Sequence, residues 1–377
     1  MTVTPIQLLE QCTEKYIDYT KVASTLQINT ISSDHLSRLE KLSGKPLHQF
    51  LRRGFYYSEI DFEEVITALE QKKPVYVFLQ KLPSKEFSLS DYVDFALAKY
   101  LQETFGVKVV VQLLDDIVVL NRSATIQEVA KLVTETTKNV IACGFDAKNT
   151  LIFNDYNSFG KMYRTVTTIE KAMAFDVVKP FYSFENSDNI GKLSSPAIIA
   201  AGMFCGQFEE KIGSEATCVV IENIKNGQFI KIVRDIAQAI GAQKPAALFR
   251  KNVPLLTGVA KFEECTKMNA ILMNDTEKEV ERKINKVAFS GGRDTMEEHR
   301  KLGGQCDIDI PFNYINIFSD DDTLVKDTFD QYSTGKMLSG EIKKVASGVM
   351  KKVVLDFEAK KKPVTNAVVK TFFEQMK

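Results

Sequence analysis

The chain has 377 residues, of which 44% are hydrophobic and 26% charged, with 49 basic and 49 acidic side chains. This is the composition of an ordinary soluble protein that is long enough for two or three domains. The balanced charge excludes an overall field that would draw the whole protein to nucleic acid, and no apolar run approaches the roughly 18 residues of a membrane span.

The N-terminal segment contains acidic residues and no long apolar core, so we do not expect a signal peptide. The six cysteines include no CxxC pair, which favours reduced thiols over disulfides or a zinc site. They are Cys12, Cys143, Cys205, Cys218, Cys265 and Cys306. The three histidines lack zinc or triad spacing, and His299 is expected on a helix surface. We therefore expect a cytoplasmic protein with no bound metal.

The sequence of residues 1–54 predicts an N-terminal helical extension. Five apolar runs after it predict strands, and helical patterns separate them. The runs are 74–79, 107–114, 150–154, 217–222 and 246–249, and the helical patterns include 92–106, 125–144 and 227–241. Near-continuous hydrophobic strands that alternate with helices are typical of a parallel sheet covered on both faces. The sequence therefore predicts an α/β fold, with a doubly wound, Rossmann-like sheet domain over residues 55–270.

After the last predicted strand only helical patterns continue, as in residues 338–357. We predict a helical domain over residues 271–364 and a C-terminal helix over 365–377 that packs back on the sheet domain. Residues 340–377 contain nine lysines against four acidic residues. This excess fits either a solvated helix face or a nucleic-acid surface.

The loop "LQKLPSKEFSLSD", residues 79–91, joins the first predicted strand to the helix that follows. In α/β proteins such a loop commonly cradles a phosphate, because the helix N-terminus offers unpaired N–H groups and glycine lets the backbone come close. This loop contains neither glycine nor histidine. Its composition indicates a crossover without phosphate-binding chemistry.

Five stretches of the chain resemble the eukaryotic-type tryptophanyl-tRNA synthetases, a class I aminoacyl-tRNA synthetase family. They are "FLRRG" (50–54), "NVIACGFD" (139–146), "SDNIGKLSSPAI" (187–198), "AFSGGRDTMEEHRKLGGQCDID" (288–309) and "YSTGKMLSGEIKK" (332–344). The stretches occur in the family's order over most of the chain. The resemblance implies a Rossmann-fold catalytic domain, a helical domain of the anticodon-binding type and a homodimer.

The resemblance also implies what the loop 79–91 should contain. The family has a threonine- and glycine-rich turn and then a His-x-Gly-His signature, whose N–H groups stabilise phosphate charge during adenylate formation. With "PSKE" (83–86) as anchor and one residue deleted, both motifs are replaced in this chain. The turn corresponds to Leu79, Gln80, Lys81 and Leu82, and the signature to Ser88, Leu89, Ser90 and Asp91. We expect Asp91 to place a negative charge toward the polyphosphate.

Two further nucleotide-binding motifs of the family are altered. The Lys-Met-Ser signature loop corresponds, with one deletion, to Lys261, Phe262, Glu263, Glu264 and Cys265. We interpret "KMNA" (267–270) as coincidental, because it lies downstream of that register. The family's Ala-Ile-Asp-Gln-Asp loop corresponds to Asn223, Ile224, Lys225, Asn226 and Gly227, so its carboxylates are replaced.

The tryptophan pocket that the resemblance implies is only partly kept. Gln112 matches a glutamine that contacts the indole edge, but a satisfied polar group in the sheet is an equal interpretation. Phe78 replaces a tyrosine, and Ile117 replaces the glutamate that meets the substrate ammonium. A buried ammonium without that carboxylate is unfavourable. Asp115 and Asp116 are candidates to replace it, although we expect them to be solvated turn carboxylates.

The helical domain keeps the residues that contact the anticodon loop in the family. These match Arg293, Asp294 and Lys343. Arginine and lysine hold phosphates or base edges, and aspartate accepts from a base amine, so the set suits a single-stranded RNA loop. The alternative is structural, with Gly291 and Gly292 forming a turn and Asp294 capping a helix.

Three hypotheses follow. The leading one is a homologue that keeps the fold, the dimer and tRNA binding but does not form tryptophanyl-adenylate efficiently, and therefore needs no cofactor. The second is an active tryptophan-tRNA ligase using ATP and Mg²⁺, in which a lysine takes over the phosphate contacts. The candidates are Lys81, Lys85, Lys261 and Lys267. The third is a partner-binding or regulatory scaffold without an RNA ligand. None of the three involves DNA or a membrane.

Overall fold

Seven strands form one sheet in the computed structural model, which describes residues 17–121, 124–182, 184–258 and 265–373. The strands are β1 (Asn29–Thr30), β2 (Tyr56–Ile60), β3 (Val75–Lys81), β4 (Lys108–Leu113), β5 (Thr150–Asn154), β6 (Thr217–Asn223) and β7 (Ala246–Arg250). Their order is β1-β2-β7-β6-β3-β4-β5. The five strands from β7 to β5 are parallel, whereas β1 and β2 pair in an antiparallel manner at the β7 edge.

Seventeen α-helices occur in the described residues. The first ten are α1 (Tyr19–Thr25), α2 (Ser33–Ser43), α3 (Gln49–Arg52), α4 (Phe62–Glu70), α5 (Leu89–Phe105), α6 (Asp115–Asn121), α7 (Ile126–Ala142), α8 (Asp155–Ala172), α9 (Phe175–Tyr182) and α10 (Ile190–Met203). The remaining seven are α11 (Gly227–Ile236), α12 (Glu277–Lys286), α13 (Met296–Leu302), α14 (Ile310–Phe318), α15 (Asp322–Ser333), α16 (Ser339–Lys361) and α17 (Asn366–Phe373). None of the helices described has the length and apolar content needed to span a bilayer.

The predicted Rossmann-like fold with a C-terminal helical domain is confirmed. All five predicted strands form, and the antiparallel strands β1 and β2 extend the predicted parallel sheet. Buried side chains alternate between the sheet faces, with Val77 on one face and Phe78 on the other. Helices α5 and α7 cover the first face, and helices α8, α10 and α11 cover the second. The hydrophobic strand pattern reflects this burial on both faces.

Local hydrogen bonds explain where α5 begins. The Ser88 hydroxyl accepts from the Asp91 backbone N–H at 3.2 Å, and the Asp91 carboxylate accepts from the Ser88 N–H at 2.9 Å. This reciprocal capping box starts the helix at Leu89, three residues before the predicted start. The helix ends at Phe105 and is capped by Gly106, whose φ of 67° is the left-handed conformation that glycine adopts without steric cost.

The helical domain shares one hydrophobic core with the first face of the sheet. Ile342 and Met350 of α16 belong to the same buried cluster as Val77. Phe87, in the loop before α5, stacks on Phe357 of α16 with a centroid distance of 5.6 Å. The sheet and the helical domain are therefore packed together beside the loop that carries the altered signature.

A second contact joins the N-terminal region to the helical domain. Arg52 and Arg53, of the "FLRRG" stretch, both pair with Asp322 at the start of α15. Arg53 also donates to the carbonyls of Asn316 and Ser319, at 2.7 Å each. At the other end, Val369 and Phe372 are buried as α17 packs against β5 and α7.

Candidate functional site

The carboxyl ends of β3 and β6 mark the point where the strand order of the sheet reverses. These neighbouring strands are parallel, and the chain leaves β3 toward β4 on one side and β6 toward β7 on the other. In doubly wound folds, ligands bind where the strand order reverses in this way. The loop before α5 and the turn after β6 both begin at this point. These two segments contain the residues that are predicted from the sequence to replace the signature and the nucleotide loop.

An internal ion pair lies at the N-terminus of α5. Lys81 Nζ, at the end of β3, is 2.8 Å from Asp91 Oδ1, and the same carboxylate closes the capping box with Ser88. Burial alone would raise the pKa of Asp91, but Lys81 and the Ser88 donors together hold that pKa below its ordinary value. Asp91 therefore places its charge beside Lys81 and the N-terminus of α5, where its carboxylate also accepts from the Ser88 N–H.

A second internal ion pair lies one turn further along α5. Arg250, buried at the end of β7, donates Nε to Asp94 Oδ1 at 2.6 Å and Nη2 to Asp94 Oδ2 at 2.9 Å. Its Nη2 also donates to the carbonyl of Ser90 at 3.0 Å, and the Tyr56 hydroxyl donates to Asp94 at 2.5 Å. Burial, together with the nearby Asp94, raises the pKa of Glu222. Sequence reasoning missed this cluster, because Arg250 and Asp94 are far apart in the chain.

The segment that follows the predicted Lys-Met-Ser position is hydrogen-bonded to the loop before α5, which precedes the predicted His-x-Gly-His position. Lys261, Phe262, Glu263 and Glu264 lie outside the described residues, and Cys265 is exposed. The Met273 N–H donates to the Phe87 carbonyl at 2.8 Å. Lys267, of "KMNA", is exposed and lies 3.5 Å from Glu86 of the loop before α5. Lys267 thus pairs with a carboxylate within the protein.

The replaced nucleotide loop forms a tight turn after β6. Asn223 accepts from the Lys225 N–H at 2.9 Å through its side chain, and Ile224 is buried beneath the turn. Asn226 is half-buried and Lys225 is exposed. A Cβ at Gly227 would overlap the Cδ1 methyl of Ile28, so a larger residue at the start of α11 would require that side chain to shift. Apart from Lys225, the turn presents no charged group to the cleft.

In the predicted amino-acid pocket, the polar side chains hydrogen-bond to groups of the protein itself. Gln112 is fully buried, and its amide nitrogen donates to Asp155 at 2.6 Å and to the Ile198 carbonyl at 3.3 Å. Its amide oxygen accepts from Gln80 at 2.9 Å. Phe78 and Gln112 both lie against Gly202 of α10, where a Cβ would overlap them. The described contacts satisfy the Gln112 amide without any ligand.

The two aspartates after β4 are not solvated, which corrects the prediction. Asp115 is 3% and Asp116 9% exposed, and both begin α6 together with the buried Ile117. The fully buried Asp155, which sequence analysis missed, lies beside them. Burial raises the pKa of all three carboxyls, and for Asp155 the adjacent Asp116 raises it further. The solvated interpretation failed because β4 and β5 end at the same edge of the sheet and bring these acids together.

The residues that match the anticodon motif lie beside the start of α16. The Arg293 Nε donates to the Gly303 carbonyl at 2.9 Å, and Asp294 is exposed. Thr295 caps α13 through the Glu298 N–H, so the prediction that Asp294 forms the cap is wrong. Lys343, on the second turn of α16, donates to the Asn285 carbonyl at 3.1 Å, and partial burial lowers its pKa. A Cβ at Gly292 would overlap Ser339 of α16, which shows how closely the two segments approach.

A buried network holds this turn in shape. Asp309 is fully buried and accepts from the Gly291 N–H and the Tyr332 hydroxyl, at 2.8 Å each. His299 is 3% exposed and contacts the Met337 carbonyl at 2.9 Å, so its predicted surface position is wrong. It faces inward because α13 packs against Tyr332 and the segment before α16. These buried hydrogen bonds thus hold the conformation of the turn that carries Arg293.

These features define a class I aminoacyl-tRNA synthetase architecture. A family model of tRNA synthetases class I (W and Y) matches residues 226–354. The cytoplasmic tryptophan–tRNA ligase of Oryctolagus cuniculus is 38% identical over 365 residues, which are 95% of this chain and 77% of that protein. The chain therefore belongs to the tryptophanyl-tRNA synthetase family.

Solved structures give the same result. A tryptophanyl-tRNA synthetase homolog from Entamoeba histolytica has a TM-score of 0.95 and 47% identity, with 98% of this chain and 99% of that chain covered. The tryptophanyl-tRNA synthetase of Plasmodium falciparum has a TM-score of 0.89 and 33% identity, with 95% and 98% covered. The family assignment from sequence motifs is confirmed.

Proposed function

We propose that the chain is a tryptophanyl-tRNA synthetase homologue that does not form tryptophanyl-adenylate at a useful rate and binds tRNA through its helical domain. The observation that carries the first part is the Lys81–Asp91–Ser88 arrangement at the N-terminus of α5. In an active member of the family, this helix end and its signature would stabilise the phosphates of ATP. Here Asp91 occupies the helix N-terminus and uses the charge of Lys81.

Bound ATP and Mg²⁺ do not fit these residues. Glycine N–H groups are missing from the loop, the signature carries a carboxylate, and Arg250 is fully engaged with Asp94 and Ser90. Losing one preorganised donor typically costs about 10²–10³ in rate, so two lost imidazoles alone correspond to roughly 10⁴ or more. Lys81 does not replace them, because its ammonium is paired within the protein.

Tryptophan-dependent exchange of pyrophosphate into ATP tests this proposal. We expect a rate at least about 10⁴-fold below that of an active family member assayed in parallel. Circular dichroism and thermal unfolding of the same preparation control for misfolded protein. Exchange within tenfold of the active enzyme would contradict the proposal and would favour the ligase in which Lys81, Lys85, Lys261 or Lys267 contacts the phosphates.

The turn of the helical domain that carries Arg293 and Asp294 supports the proposal that the chain binds tRNA. Arg293 and Asp294 stand at the turn held by Asp309, and Lys343 follows on the adjacent helix. The exposed carboxylate and the cations provide both an acceptor and donors for splayed bases and phosphates.

Because the rabbit relative is named a cytoplasmic ligase, we place this homologue in the cytoplasm as well.

We also propose a homodimer, formed through helices α8, α9 and α10. Large apolar side chains are exposed on all three helices, including Tyr163 (57%), Phe175 (49%) and Ile190 (85%). Exposed apolar side chains concentrated in one region mark interaction surfaces. Light scattering after gel filtration is expected to give twice the chain mass, and Tyr163→Asp with Ile190→Asp is expected to give the monomer. A wild-type monomer at micromolar concentration would contradict the dimer, and Leu42→Asp, on α2, is the matched control.

A further inference from the structure

Three buried carboxylates meet where β4 and β5 end. Asp115 and Asp116 begin α6, Asp155 begins α8, and one oxygen from each lies within 4.8 Å of the others. Asp155 is fully buried, and Asp115 and Asp116 are 3% and 9% exposed. Within the described part of the chain, the hydrogen-bond donors to these carboxylates are neutral. They are the side-chain amides of Asn154 and Gln112 and the backbone N–H groups of Tyr156 and Ile117.

A separate observation concerns one oxygen of Asp155. This residue is fully buried, and its Oδ1 accepts from Gln112 at 2.6 Å. Its Oδ2 is buried and has no hydrogen-bond partner among the described residues, while the carboxyl contacts that of Asp116. Buried polar atoms are nearly always satisfied by protein, water or an ion. A buried carboxylate oxygen that lacks a donor, in a cluster with two further carboxylates, points to a cationic occupant, because a neutral donor would leave the negative charges unbalanced.

We propose that Asp115, Asp116 and Asp155 form a binding site for one hard divalent cation. The donors are all oxygens, which suits Ca²⁺, Mg²⁺ or Mn²⁺ and not the metals that prefer nitrogen or sulfur. Ligands on opposite sides of a Ca²⁺ ion are about 4.6–5.2 Å apart, because Ca–O distances are about 2.3–2.6 Å. Since one oxygen of each carboxylate lies within 4.8 Å of the others, the three fall within the span of the oxygens around one Ca²⁺ ion.

This cation site lies under the predicted amino-acid pocket. Asp155 accepts a hydrogen bond from the amide nitrogen of Gln112, and the amide oxygen of Gln112 accepts one from Gln80. A bound cation fixes Asp155 and hence orients the Gln112 amide. The site stands independently of whether the homologue forms an adenylate or binds tRNA.

Isothermal titration of chelator-stripped full-length protein with CaCl₂, MgCl₂ and MnCl₂, each in a separate experiment, tests the site. We expect one saturable site per chain for at least one cation, and an increase in the melting temperature at saturation. The affinity is expected to fall at least tenfold in Asp155→Asn, which keeps the side-chain shape and the acceptor for Gln112. Asp116→Asn is expected to act in the same way, and it serves as the second variant if Asp155→Asn fails to fold.

Asp327→Asn, an exposed substitution on α15, is the matched control and should bind like the wild type. Absence of saturable binding for all three cations overturns the proposal, and in that case the carboxyls are balanced by shared protons. Equal affinity in the wild type and in both cluster variants also overturns it. A melting-temperature increase that is equal in all proteins shows a general salt effect and counts against the site.

Discussion

Replacing Arg250 with methionine is expected to destabilise the protein by about 3–5 kcal/mol, because the change leaves Asp94 buried without its partner. Arg250 is 4% exposed and makes two hydrogen bonds to Asp94, at 2.6 and 2.9 Å. Glu222, whose pKa burial and Asp94 raise, lies close enough to add repulsion once the guanidinium is lost. Equilibrium unfolding in urea at neutral pH measures the loss.

The double variant Arg250→Met, Asp94→Asn isolates the ion pair. It removes both charges and should recover a large part of the lost stability, because replacing a buried pair costs less than breaking it. Arg38→Met is the matched control. Arg38 also forms a fork with carboxylates, those of Glu63 and Glu70, but on the surface. A loss for Arg250→Met no larger than that for Arg38→Met would show that the buried cluster does not stabilise the cleft.

The second large effect is expected on tRNA binding. Alanine at Arg293 should weaken binding of the tryptophan tRNA by about 1–3 kcal/mol, a factor of roughly 5 to 150. Within the described residues, the Arg293 guanidinium donates a hydrogen bond only through Nε, so its remaining N–H groups are available for RNA. Asp294→Ala should weaken binding to a similar extent through loss of a base acceptor. Fluorescence anisotropy at fixed, stated salt concentration measures both affinities.

Two controls separate RNA contact from a structural role. Lys41→Ala removes one exposed cation on α2, away from the helical domain, and should leave tRNA affinity unchanged. Thermal unfolding of each variant shows whether the turn is intact. If the wild type binds the tryptophan tRNA no better than an unrelated tRNA, and the Arg293 and Asp294 variants bind equally weakly, the scaffold without an RNA ligand is the correct function.

The parts of the fold that sequence predicted best are those with local signals. The β5 run, Thr150–Asn154, is apolar and buried on both faces, and its predicted bounds coincide with the strand. Strand β2, Tyr56–Ile60, was missed, because "YYSEI" contains Ser58 and Glu59, both of which are buried. Glu59 accepts from the Phe62 N–H at 2.8 Å, so its burial depends on a turn that hydropathy does not reveal.

The same distinction applies to the site. Ser88 and Asp91 are three residues apart, and their spacing is that of a capping box. By contrast, the Arg250–Asp94 pair and the approach of Asp155 to Asp116 depend on tertiary packing across the sheet. His299 was expected on a surface because its neighbours are charged, but the helix turns that one residue inward. Contacts between distant segments therefore account for most of what sequence missed.

The Lys81–Asp91 pair has an evolutionary consequence. Histidine restored at position 91 in a single step would remove the partner of Lys81, whose side chain is only 13% exposed, and would open the cap of α5. Such a reversion loses stability before it regains any chemistry, because a largely buried cation without its partner is costly. Each residue now protects the other against replacement. On the proposed correspondence with the family signature, a return to histidine at this one position is therefore expected to lower stability before it restores any phosphate contact.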